Sequence, residues 1–184
     1  MMELFRPTQE KRIDSDYYVE GYATTFEPYE LYEIDGVKYF ERISPDAFMG
    51  ADMSDVIFQY DHAGKVLARK SNGTLLAETD NHGLFICADL SKSAASREMY
   101  GEIDNGLVTK MSWAFTVAED SFDRNTRTRT ILKVNKIYDV SAVSIPANNQ
   151  TDISARSYFN GEIEKERQEL LERKKHILKI RLEL

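Results

Sequence analysis

The chain has 184 residues, 42% hydrophobic and 30% charged, the balance of an ordinary globular protein with a core of its own. A formal charge of -7 lacks the basic excess of a general nucleic-acid binder, and the single Cys87 excludes an intrachain disulfide. No apolar run approaches the roughly 18 residues of a membrane span, and the polar N-terminus lacks a signal-peptide core. A cytosolic protein, or one housed in something assembled in the cytosol, is expected.

Residues 17–26 are rich in aromatic and β-branched side chains and predict a first strand. Residues 27–38 read as a loop or short hairpin around Asp35-Gly36, and 40–43 as a short extended piece. Ser44-Pro45 has the form of a helix start, with serine as N-cap and proline in the first helical position. A strand over 56–60 runs into Asp61-His62, which places His62 at a strand end on the face of Tyr60, Phe58 and Val56. Two strands, 73–79 and 83–90, are joined by the turn-forming Asp80-Asn81-His82-Gly83. Residues 93–105 carry Ala94, Ala95, Met99 and Ile103 at helical spacing, with Gly106 where a C-terminal cap belongs.

Residues 107–117 alternate. Met111, Trp113, Phe115 and Val117 share one face; Lys110, Ser112, Ala114 and Thr116 share the other. Residues 120–129 look like an exposed, polar hairpin tip. Strands over 130–134 and 137–145 follow, the second ending before Pro146. A polar linker over 147–157 leads to a charged helix over 162–184, with Ile163, Leu170, Ile177 and Leu184 at heptad spacing. About seven strands and two or three helices suggest a mainly antiparallel sheet or small barrel with helices outside.

Ser112 is a candidate nucleophile, because a rigid strand holds its hydroxyl beside the only tryptophan. A serine needs a base, most often a histidine steadied by a third group. Of three histidines, His82 sits in a turn and His176 on the charged tail, which leaves His62. Asp139 is the best orienting acid: in strand 137–145 it shares a face with Ile137, Ser141, Val143 and Ile145, and a buried carboxylate needs a partner. Glu41 is a weaker choice. The residues alone leave other readings open: Ser112 as small filler, His62 as a structural histidine, Asp139 as a partner for Arg42 or Arg156. Lys110, two residues from Ser112 on the same face, offers a rival Ser–Lys dyad. Nothing in the pattern suggests a metal or cofactor.

Read in order, Gly21-Tyr-Ala23, Glu41-Arg-Ile-Ser-Pro-Asp-Ala-Phe48, Asp61-His62, the segment from Gly106 to Phe115, and Asp139-Val-Ser-Ala-Val-Ser-Ile-Pro-Ala-Asn148 resemble the prohead (capsid maturation) serine proteases of tailed bacteriophages. The similarity spans about residues 16–156. It implies a mainly β fold with peripheral helices (α+β), an antiparallel β-barrel like that of the related herpesvirus assemblins, in a protease domain over 1–157. The helix of 158–184 would be a targeting or autoprocessed tail. It also implies a serine endopeptidase, with His62 as general base, Ser112 as nucleophile and Asp139 as orienter. The herpesvirus relatives use a second histidine as third member, and here only His176 follows Ser112. Substrates would be the scaffold or the scaffold-like segment of the major capsid protein, and the enzyme itself, inside the immature capsid in the host cytoplasm. Association into a homo-oligomer such as a dimer is expected, with no nucleic-acid or membrane partner. The alternatives are a Ser–Lys hydrolase using Lys110 and a non-enzymatic capsid-associated barrel.

Overall fold

The computed structural model describes residues 12–144 and Glu172. The chain divides into units of residues 1–147 and 148–184, and the architecture below is that of the first. The expected boundary at 157 and the tail helix over 162–184 lie outside the described residues, Glu172 apart.

Nine strands and one α-helix make up the described residues, with two single 3-10 turns. β1 (Tyr18–Thr25), β7 (Gly83–Asp89) and β6 (Leu75–Thr79) form a three-stranded antiparallel sheet with β7 in the middle. Every residue of β7 is buried, as a central strand covered on both faces requires. Cys87 is among them, a core residue as its apolar run predicts.

The second sheet is built on β9 (Thr128–Val143), a strand of 16 residues. β8 (Lys110–Asp123) runs antiparallel along one edge of it from Val143 to Thr128. Along the other edge lie two shorter parallel partners, β3 (Val37–Ile43) against 128–131 and β4 (Ile57–Tyr60) against 139–142. An isolated bridge from Asp52 to Lys136 fills the gap between them. β2 (Tyr29–Ile34) and β5 (Ala63–Arg69) complete the sheet at its ends.

The expected barrel is therefore wrong, although the mainly β content with a peripheral helix is right. Among the described residues no sheet closes: a barrel needs a ladder joining last strand to first, and both sheets end in strands paired on one side only. Nor is the large sheet purely antiparallel, since β3 and β4 both run parallel to β9.

Local chemistry explains most elements. Asp35-Gly36, both with positive φ, make the two-residue turn between β2 and β3, so 27–38 is a hairpin rather than a loop. The predicted helix at Ser44 is only a single turn, Pro45–Phe48, without a side-chain cap bond. α1 (Ala94–Asp104) is capped at its start by Ser93 Oγ, which accepts from Ser96 N–H at 3.0 Å. Its end is a Schellman motif: Gly106 is left-handed, its N–H donates to Ile103 and that of Leu107 to Glu102. That turn aims the chain into β8.

The core between the sheets contains Phe58, Ile86, Trp113, Val134, Ile137 and Val140, with Phe115 stacked on Trp113 at 3.7 Å. Met111, Phe115 and Val117 pack against it, so the alternation read in 107–117 is the one observed. On β9, Tyr138 is an extra residue where Ala114 pairs Asp139 and Phe115 pairs Ile137. This bulge shifts the phase of the strand. Ile137 therefore joins Val140 and Ala142 in the core and does not share the face of Asp139.

The predicted hairpin tip over 120–129 contains one residue that is not at the surface. Arg129 is buried; its Nη1 donates to Glu41 Oε2 at 3.1 Å and its Nε to Asp120 Oδ2 at 2.6 Å. Tyr29 O–H also donates to Glu41. Burial pushes the Glu41 carboxyl up, against the pull of Tyr29 and Arg129. Glu41 is thus a structural acid joining β2, β3 and β9, not a partner of His62. Replacing Arg129 with alanine leaves this carboxylate buried and uncompensated, and should cost about 3–5 kcal/mol of stability in urea unfolding. A loss within about 0.5 kcal/mol, as for a surface residue, would contradict the network.

Candidate active site

The site lies on the face of the β8–β9 ladder opposite Trp113. Ser112 and Ser141 are direct cross-strand partners, so their hydroxyls stand on one face. Asp139, two residues before Ser141, shares it, and its Oδ1 accepts from Ser141 Oγ at 2.7 Å. All three residues are buried, Ser112 at 5% exposure.

His62 reaches this face by a route the alternation did not predict. It does not end a strand. Asp61 and His62 are the two central residues of a tight turn between β4 and β5, both with positive φ (47° and 55°). Asp and His tolerate the left-handed region better than most side chains, and β5 itself was missed in the sequence. The turn carries the imidazole over β9, with its backbone N–H 3.3 Å from Ser141 Oγ. His62 Nδ1 lies 2.7 Å from Asp139 Oδ1, and each side chain is only 8% exposed. A carboxylate oxygen accepts, so Nδ1–H is the donor of this bond. The pairing of Asp139 with His62, rather than with an arginine, follows the sequence expectation.

The Ser112 hydroxyl makes no hydrogen bond among the described residues, to His62 or to Lys110. Lys110 is exposed and opens β8 two residues before Ser112. Strand alternation directs both side chains to one face. Ser141 is the site residue that sequence reasoning did not single out. Its signal was available: it lies two positions beyond Asp139 in an alternating strand. Asp61, next to His62, faces Ser144, its Oδ1 accepting from the Ser144 N–H at 3.3 Å. Among the described residues, no cluster of His, Cys, Asp and Glu could hold a metal, and no helix is long and apolar enough to cross a membrane.

Because Asp139 is buried with two bonding partners among the described residues, His62→Ala should destabilise the fold by about 1–3 kcal/mol through the carboxylate it leaves under-satisfied. Combined with Ser141→Ala, the losses should be non-additive by about 0.5 kcal/mol or more, since both partners bond one oxygen. Strict additivity in the double-mutant cycle would show that the bonds are not coupled.

Residues 6–165 match the family model described as caudovirus prohead serine protease. No curated protein and no solved structure matches. The match brings protease, and so hydrolase, activity and a capsid-related role. It also corrects the mechanism expected from the sequence. Prohead proteases of this family are known for a Ser–Lys dyad, which overturns the Ser–His–Asp reading and favours the lysine alternative. The match covers most of the sequence, and the chain belongs to the caudovirus prohead serine protease family.

Proposed function

We propose that this protein is a serine endopeptidase of the prohead, with Ser112 as nucleophile and Lys110 as general base. The carrying observation is the placement of Ser112: a hydroxyl with no hydrogen bond of its own, fixed on β8 with a lysine two residues away on the same face. In the reaction, Ser112 Oγ attacks the peptide carbonyl carbon and its proton passes to the neutral Lys110 amine. The tetrahedral adduct then expels the substrate's amine, which takes that proton and leaves an acyl-serine ester. Water attacks the ester, giving its proton to Lys110, and the carboxylic product departs as Ser112 recovers its hydrogen.

His62 and Asp139 belong to the site in this proposal as positioning residues. Their bond, with Ser141, ties the β4–β5 turn to β9 beside Ser112. The substrates are the scaffold or the scaffold-like segment of the major capsid protein, and the enzyme itself, inside the immature capsid. Residues 1–157 carry the protease, 158–184 serve as a targeting or autoprocessed tail, and copies associate as a homo-oligomer.

Incubated alone or with scaffold, the wild type should yield shortened products in an intact-mass spectrum, and Ser112→Ala none. Lys110→Met should lose about 100-fold or more in rate, the usual contribution of a general base. Normal processing by Ser112→Ala would remove the nucleophile assignment, and no processing by the wild type would remove the protease reading.

Lys110→Met active beside an inactive His62→Gln would contradict the lysine as base.

A further inference from the structure

Between the two sheets lies a cavity of about 320 Å³, near the lower end of the range for ligand pockets. It is lined by two runs of consecutive residues, 19–22 of β1 and 108–111 leading into β8. A strand that turned a face to a cavity would line it with every second residue. Four in succession within β1 mean that its edge meets the cavity; of the second run, Val108 and Thr109 precede β8, and Lys110 and Met111 open it. Both edges are open: β1 pairs only with β7 and β8 only with β9 among the described residues. Phe58, Ile86, Ile103 and Ala142 add an apolar lining.

Gly21 stands in the middle of β1 with ordinary extended backbone, so its φ does not call for glycine. Space does. A Cβ at this position would come within 2.9 Å of Met111 Sδ, and Met111 also lines the cavity. A side chain there would push the flexible thioether into the open volume.

We infer that this cavity is the substrate channel, taking an extended peptide along the open edges of β1 and β8 with an apolar side chain of the peptide in the space beside Gly21 and Met111. The inference rests on the protease reading and deepens it. Unpaired strand edges bind extended backbone by main-chain hydrogen bonds, and pockets for alternate side chains supply the selectivity. Ser112 follows Met111 directly, so a peptide aligned with β8 brings its backbone alongside the nucleophile. Its side chains alternate between the face of Ser112 and the face of Met111, and those on the Met111 face enter the apolar volume.

The test is cleavage-site profiling of the full-length protein on a peptide library made from a digested bacterial lysate. The wild type should cut with large apolar residues (Leu, Ile, Met, Phe) enriched at a fixed position beside the scissile bond. Gly21→Val should reduce cutting at such sites by roughly tenfold relative to sites with alanine there, the usual scale for a filled apolar pocket. Met111→Ala, which withdraws the thioether, should shift the preference towards larger side chains. Cutting without apolar preference, or a preference that neither variant alters, would overturn the channel while leaving the protease reading intact. No cutting by the wild type would overturn both.

Discussion

The described fold depends on one strand hydrogen-bonded along both edges. β9 pairs with β8 over nearly its whole length, and on its other side holds β3, the Asp52 bridge and β4 in succession. Segments distant in sequence, from residue 37 to residue 123, are thereby set in fixed register against one ladder. The face of the candidate site follows from that register. Ser112 is opposite Ser141 because β8 and β9 pair as they do, and the turn bearing His62 lies over Asp139 because Ile57 is paired with it. A slip of one residue would turn Ser112 into the core and Trp113 out of it.

Buried polar groups hold this register at both ends of the spine. Near the start of β9, Arg129 spans from Asp120 on β8 to Glu41 on β3, with Tyr29 on β2 closing the set. Near its end, Asp139 bonds His62 and Ser141. Neither set adds much simply by being ionic, since taking charges out of water offsets most of their attraction. Their effect is on specificity: any other pairing leaves a buried carboxylate without partners. The bulge at Tyr138 lies between the two sets, and lets one strand put Ile137, Val140 and Ala142 in the core and Asp139 and Ser141 on the site.

Most local signals in the sequence were accurate, and most long-range ones were not. Ser93 and Gly106 bound α1, the turn at 80–83 joins β6 to β7, and the stripe from Met111 to Val117 faces the core. Each rests on the chemistry of a few neighbouring residues. The open mixed sheet was not legible, because nothing within residues 40–43 or 57–60 reveals that they pair in parallel with β9. The phase of Asp139 was misread for the same kind of reason: strict alternation over 137–145 has no place for an extra residue at Tyr138. His62 was rightly joined to Asp139, yet from a turn and not from a strand end, because the left-handed backbone of Asp61-His62 leaves no periodic trace. Arg129 looked solvated in a polar run, and only tertiary pairing with Glu41 shows why it is buried. The Ser–His–Asp mechanism was the costliest error: His62 was what elimination among three histidines left, while Lys110 is marked by nothing but its spacing from Ser112.

The central claim is that one serine on β8 is activated, and a serine-directed fluorophosphonate followed by peptide mapping tests it most directly. The account predicts a single adduct, on Ser112, whose formation slows sharply in Lys110→Met. An adduct on Ser141 or Ser144 instead, or labelling of Ser112 at an unchanged rate without the lysine, would contradict it.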